Sequence, residues 1–426
     1  MGYASQIGRV GALAVALGVG LVTTAGTAAA KPAPSSPTSD APAPTSPGQN
    51  MAVATNGTTR VQRGDATATS DGKGSVAIAR GDGATAISAG GPGSLAIAKG
   101  DGATAAINIR ACETCLAGSG NKVTASGDLA TAAASGSGNT VRATGYGSTA
   151  KATGSNNTVT ADGIYAAATA NGSDNTVLAT NDYSTATVTG FENTVTASGG
   201  GDQATVSGYA NTVTTSATAS TAAVSGDGNT VAVDDYLGAV TVTGSNNDVH
   251  TSGKVGTSAE QNTTSVTGDN NLLSLNGTAS EADVVGNSNA VTMTGNGNFA
   301  QVHGSSNSTT MNGNDNTAAI SGNHSETITI GHDNSALVIG DGSTAKAGVV
   351  ATDHGNSAGV NGDSSTAQAG YGSNNTVNAH GDDSTATAVG TDNWVEATGP
   401  DSHASALGHD NVVESGPGET VYAFNP

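Results

Sequence analysis

The sequence predicts an all-β fold: a parallel β-solenoid of the β-roll or β-helix kind, two strands per 18-residue coil, about 20 coils in all. Three observations predict it. Asn121, Asn139, Asn157, Asn175, Asn193, Asn211, Asn229 and Asn247 stand 18 residues apart, and two places after each comes Val123, Val141, Val159, Val177, Val195, Val213, Val231 or Val249. Each 18-residue unit splits into two similar nonapeptides, as in GSNNTVTAD (154 to 162) and GIYAAATAN (163 to 171). Within each nonapeptide, apolar and polar residues alternate.

In an extended strand, successive side chains point to opposite faces. The fourth, sixth and eighth places (Asn or Ser, Val or Ala, Ala or Val) then face one way, and the Thr, Ser, Lys and Asp of the intervening places face the other. One such strand cannot offset its own ordering entropy of roughly 1 to 2 kcal/mol per residue. Stacked copies can, because each strand hydrogen-bonds to the coils above and below. The Gly opening each nonapeptide suits a corner needing positive φ, and Asn181 and Asp235, which replace it, tolerate the same conformation. The interior is expected to be thin where Ala132, Ala134, Ala150, Ala152, Ala168 and Ala170 point inward, and thicker where Val188, Val206, Val224 and Val242 take the eighth place. The Asn column is expected to stack as an amide ladder with a repeat of about 4.7 to 4.8 Å.

Composition narrows the partners. Of 426 residues 62 are Gly, 3% are aromatic and 11% charged, and the net charge is −21. Too few large apolar side chains exist for an ordinary globular core of this length. After Lys151 only Lys254 and Lys346 are basic, so most of the surface is acidic, which disfavours nucleic acid and anionic lipid.

Taken in order, residues 1 to 30 read as a signal peptide: Arg9, an apolar run from Val10 to Val22, and an A-x-A site at Ala28 to Ala30. Cleavage there leaves no membrane span. This leader resembles those of exported mycobacterial and related actinobacterial proteins. Residues 31 to 50 hold six of the ten prolines and form an extended linker. Residues 51 to 117 comprise an N-terminal cap and a Gly/Ala/Ser repeat block that carries Cys112 and Cys115, expected to form a disulfide in an oxidising compartment. The phrase GSLAIAKGDGATA in that block resembles the head repeats of trimeric autotransporter adhesins, a resemblance that implies a parallel β-roll, surface display and binding to host matrix. Those heads have a shorter step, a coiled-coil stalk and an outer-membrane barrel, and this chain lacks any heptad run. Residues 118 to 252 form the regular solenoid, 253 to 258 (GKVGTS) an insertion, and 259 to 424 a less regular continuation. There Leu273, Leu275, Met293, Met311 and Ile320 enlarge the interior, and Ile328, Ile330, Leu337 and Ile339 make the outer face apolar; the segment from Gly348 is expected to fold over them. TVYAF near the end is suited to a C-terminal cap.

No catalytic, cofactor or metal site is expected. Calcium-binding nonapeptide repeats carry a ligating Asp at the sixth place, which here is Val or Ala; corner acids such as Asp174, Asp227, Asp315 and Asp333 read as solvated turns. Parallel β-helices also serve polysaccharide lyases, whose grooves gather acids and bases. Here the eight His residues fall at corners and outward places. Two outward features remain. Tyr146, Tyr165, Tyr183 and Tyr236 share one edge of the expected rod, with Phe191 and Tyr209 on the other, and Tyr offers a stacking face with a polar tip. Rows such as Thr158 with Thr160, Thr194 with Thr196 and Thr212 with Thr214 resemble the ice-binding face of antifreeze β-solenoids. The chain therefore reads as an exported or cell-surface, non-catalytic structural or adhesion-type module. Its expected partner is envelope polysaccharide or host matrix, and the alternatives are a dedicated glycan-binding protein and an ice-binding protein.

Overall fold

The computed structural model describes residues 50 to 426, apart from 90, 109 to 117, 252 to 262, 277 to 279, 296, 341 to 342, 363 and 382. The expected leader, linker, disulfide (Cys112 and Cys115) and insertion at 253 to 258 lie outside the described residues. From Thr67–Asp71 onward the strands alternate between two sheets. One sheet includes Lys122–Ala125, Thr140–Ala143 and Thr158–Asp162; the other includes Thr131–Ser137, Thr149–Ser155 and Ala167–Ser173. Along the stack these strands pair in parallel with those one coil away, Val141 opposite Val123 and Val159, Ala150 opposite Ala132 and Ala168. The second sheet contains 19 described strands, which at strand spacing is a ladder on the order of 90 Å. At the N-terminal end the direction reverses: Met51–Thr55 pairs antiparallel with both Thr58–Arg63 and Val76–Arg80.

The alternation places the core as the sequence predicts. The Val file from Val123 to Val249 is at most 1% exposed and lies in register from coil to coil. Ala faces it from the second sheet until Val188, Val206, Val224 and Val242 replace Ala at the eighth place, and Leu273, Leu275, Met293, Met311 and Ile320 are all buried. Small side chains at each level let the sheets approach closely; dispersion over many such levels replaces the few large contacts of a globular core.

The core has one weak layer. Its apolar cluster runs from Ala52 to Ala318, and a separate cluster begins at Ile320. Between them, on one sheet, Thr309 pairs with Thr327 and Met311 with Thr329. Thr309, Thr327 and Thr329 point inward at no more than 1% exposure, and their hydroxyls have no hydrogen-bond partner among the described residues. In this strand the polar side chains point in while Ile328 and Ile330 point out and are half-buried. A buried hydroxyl without a partner costs about 1 to 3 kcal/mol. The Thr327→Val and Thr329→Val changes keep shape and remove that cost, so the double variant is expected to gain about 2 kcal/mol, read as a higher urea midpoint.

Two expectations fail here. The segment after Gly348 does not cover the apolar patch, since Leu337 and Ile339 remain 44% and 49% exposed. It closes on itself instead: the buried Asp353 carboxylate accepts the N–H groups of Val349, Val350, Tyr371 and Gly372. A carboxylate with four backbone donors holds a tight loop more strongly than the flat apolar surface could. The terminal aromatics form no lid either. Thr420–Asn425 is another rung, paired in parallel with His403–His409, and Tyr422 and Phe424 point outward at 76% and 67% exposure. Their fifth- and seventh-type places fix that direction.

Candidate functional site: the corners and the tyrosine edge

The corners begin at the predicted ladder. From Asn121 to Asn271 each ladder Asn Oδ1 accepts two bonds from the next coil, and each Nδ2 donates to a neighbouring coil. Asn175 Oδ1 accepts Asn193 N–H and Nδ2–H, both at 3.0 Å. Asn175 Nδ2 donates to Asn157 Oδ1 at 3.0 Å and to the Gly190 carbonyl at 2.7 Å. Both lone pairs and both donors are therefore used, which is what makes the burial of an amide tolerable. The same pattern links Asn121 to Asn139 and continues through Asn211, Asn229 and Asn247. It crosses the inserted segment unbroken, as Asn271 Nδ2 bonds Asn247 Oδ1 at 3.0 Å from 24 residues away.

The ladder then changes sheets. On the first sheet it ends where Ser325 N–H bonds Asn307 Oδ1. Ser325 is too short to reach its copy, and its hydroxyl bonds the Gly340 carbonyl instead. On the second sheet a new ladder joins Asn316 to Asn334, Asn356, Asn375, Asn393 and Asn411. The exchange falls beside the weak core layer.

The opening Gly adopts the predicted positive φ at many corners, as at Gly154 (111°), Gly190 (132°) and Gly244 (127°), and it has a second task beside that one. A Cβ on Gly190 would overlap the Gly208 carbonyl oxygen one coil away, so close backbone approach demands Gly as well. Positive φ also lies at the third place, where Asn156 (56°), Tyr165 (55°), Asp174 (59°), Tyr183 (62°) and Glu192 (57°) adopt it. Asp235 is absent from the positive-φ residues, whereas Asn181 has φ 81°. The second place carries an outer capping row. Its carboxylate or amide accepts the second-place N–H of the previous coil: Asp128 from Asp101, Asp182 from Ile164, and on the opposite edge Asp227 from Tyr209 and Asn287 from Asp269. The acids of this row are thus spent on backbone donors.

Of the four tyrosines expected to share an edge, the structure brings three together. Tyr146 meets Tyr165 edge-on, with centroids 5.5 Å apart at 89°, and Tyr165 stacks on Tyr183 at 5.7 Å and 26°. They are 45% to 63% exposed, with Leu129 and Ile164 exposed on the same corners. Proximity of the Tyr146 phenol raises the Tyr165 pKa above its ordinary value. Tyr236 holds the same edge three coils further on and joins no ring contact. Between lie Gly199-Gly200-Gly201 and Ala217-Thr218-Ala219. On the other edge the Tyr209 hydroxyl donates to Glu192 Oε2 at 2.8 Å, which raises the Tyr209 pKa.

Asp202 lies beneath this gap. It takes the inward fourth place that Ser148, Ser184 and Ser220 hold in other coils, fully buried. Its carboxylate accepts Gly199 N–H at 2.6 Å and Ser220 N–H at 3.0 Å. Desolvation raises its pKa, and those bonds offset only part of the shift. The native state therefore holds this proton more tightly than the unfolded chain, so stability falls as pH rises from the ordinary aspartate value through the raised one. Asp202→Ser keeps an acceptor for the corner N–H, as Ser148 does for Gly145. It is expected to remove that decline and to raise the urea midpoint at neutral pH.

The remaining side chains with chemical potential stay apart. All eight His residues are exposed. His354 Nε2 lies 3.2 Å from Ser373 Oγ and His380 Nε2 lies 3.4 Å from Glu396, but neither pair has a third, orienting partner among the described residues. No group of three His, Cys, Asp or Glu suited to a metal occurs among the described residues. Asp235 is buried at a corner while Asp234 is exposed. Among the described residues no helix is long and apolar enough to cross a membrane.

No curated protein and no solved structure matches this chain. A family described as protein of unknown function (DUF3060) matches residues 152–205, three 18-residue periods that contain the Tyr165–Tyr183 stack, so this stretch of the solenoid carries a DUF3060-type repeat.

Proposed function

We propose that the chain is an exported, non-catalytic scaffold that displays its corners as an extracellular interaction surface, with glycan as the partner class. One observation carries this reading: the interior amides, the second-place acids and the opening glycines are committed to holding coils together, whereas Tyr146, Tyr165 and Tyr183 gather on one edge, touch one another and stay 45% to 63% exposed. Half-exposed aromatic rings in a row present apolar faces with polar tips, the chemistry that suits sugar rings. The apolar run after Arg9 and the A-x-A site support export, and the likeness of residues 51 to 117 to adhesin heads is in keeping with surface display. The test is fractionation of cells producing the full chain with a tag after Pro426, together with pull-down on envelope polysaccharide. Tag in the medium or envelope, and retention on the polysaccharide, support the reading; a cytoplasmic tag overturns it.

A second reading rests on a separate observation. Thr140, Thr158, Thr176, Thr194, Thr212 and Thr230 stand in file on one sheet, all exposed. Such a row fits an ice-binding face, although Arg142, Leu178 and Ala232 interrupt the neighbouring file. Absence of ice-recrystallisation inhibition by the mature chain removes it.

A further inference from the structure

We infer that the gap between Tyr183 and Tyr236 is a subsite for one pyranose ring of an uncharged glycan, seated on the open face of Tyr183. The inference rests on the proposed glycan-binding role and names the place and the class of sugar.

The aromatic stack stops abruptly. Tyr165 covers Gly147, as shown by the overlap that a Cβ there would make with its ring, and Tyr183 covers Tyr165. The next third-place residue is Gly201, and no heavy atom lies within 4 Å of where its Cβ or that of Gly200 would be. The far face of Tyr183 is therefore uncovered. One coil further Ala219 adds only a methyl, and Tyr236 with Leu237 (46% and 47% exposed) forms the opposite wall. Three coil steps separate the walls, about 14 Å, enough for a ring in contact with Tyr183 and for its substituents.

The floor supplies hydrogen-bond donors that most capped corners do not. Second-place N–H groups point along the axis, and Asp82, Asp101 and Ile164 have theirs capped by the acid one coil on. Below the gap, Gly200, Thr218 and Tyr236 occupy the capping place, and none accepts. The N–H groups of Asp182, Gly200 and Thr218 are left without an acceptor among the described residues, as are those of Asp128 and Tyr146 beneath the tyrosine cluster. Sugar hydroxyls can accept from such donors while the ring's C–H face lies on Tyr183. Charge selects the class. Asp182 borders the gap, no Lys or Arg lies between Lys151 and Lys254, and an anionic sugar would meet a carboxylate with no compensating cation.

The test is a panel of neutral and uronic-acid oligosaccharides titrated into the full mature chain, followed by amide NMR shifts. Saturable shifts at Gly200, Gly201 and Ala219 with neutral members are expected. Gly201→Tyr fills the gap by continuing the stack, in a left-handed place where Tyr165 and Tyr183 already sit, so it should fold and lose binding at least tenfold. Tyr183→Ala should do likewise, and Tyr209→Ala on the opposite edge should bind as the parent does. Binding unchanged in Gly201→Tyr, no shift with any neutral sugar, or preference for the uronic acids each overturns the inference. Export and retention on polysaccharide through another face would survive any of those results, so the two proposals fail separately.

Discussion

Asn175→Ala is expected to lower stability by about 3 to 6 kcal/mol. The substitution deletes four side-chain bonds. It leaves Asn193 N–H and Asn193 Nδ2 without their acceptor and takes one of the bonds of the Gly190 carbonyl, and each buried orphan costs about 1 to 3 kcal/mol. Because a solenoid opens between neighbouring coils, the damage should be local. Hydrogen exchange should accelerate at Asn193 and in the adjoining strands while the coils near Val377 keep their protection. Asn175→Ser should cost less, since Ser325 shows that a hydroxyl in this place still satisfies the corner carbonyl. Equal losses in the Ala and Ser variants would mean that the amide network contributes little.

Gly190→Ala is expected to be at least as damaging, more than about 4 kcal/mol, for a different reason. The new Cβ would overlap the Gly208 carbonyl oxygen, and φ at this residue is 132°. Relief requires the two coils to separate, which breaks their backbone bonds and the ladder together. Gly201→Ala is the matched control: φ is 77° but the space is open, so only the left-handed penalty of roughly 1 to 2 kcal/mol applies. Comparison of the two urea midpoints separates crowding from backbone conformation. Similar losses at both positions would assign the role of Gly to φ alone.

The parts of this fold that were legible in the sequence are those in which one side chain bonds or packs against its own copy. Asn to Asn and Val to Val contacts need a strict step, and the step of 18 between Asn121 and Asn247 is written in the chain. What depended on unlike partners was not legible. The positive φ of the opening Gly was legible, but its crowding is set by a carbonyl one coil away, and the left-handed residues at the third place follow no single residue type. Asp353 organises its loop through backbone donors, so nothing in the residues after Gly348 marks it out. The inward Thr309, Thr327 and Thr329 break the apolar rule where the Asn ladder changes sheets, and that coincidence is visible only once both sheets are in place. On the candidate edge, sequence phase put the four tyrosines on one side. The contact of three, the isolation of Tyr236 and the bare floor between them came from the choice of second or third place, which differs between Tyr146 and Tyr183.

The most direct test of the central claim, a single narrow interior built by alternate residues of every nonapeptide, is a methyl–methyl NOE experiment on the full mature chain with labelled Val. The account predicts an unbroken series from Val141 to Val159, Val177, Val195 and Val213, each contacting only the members one coil away and the residues facing it from the other sheet. Solvent-exposed Val methyl groups, or contacts that skip coils, would contradict it.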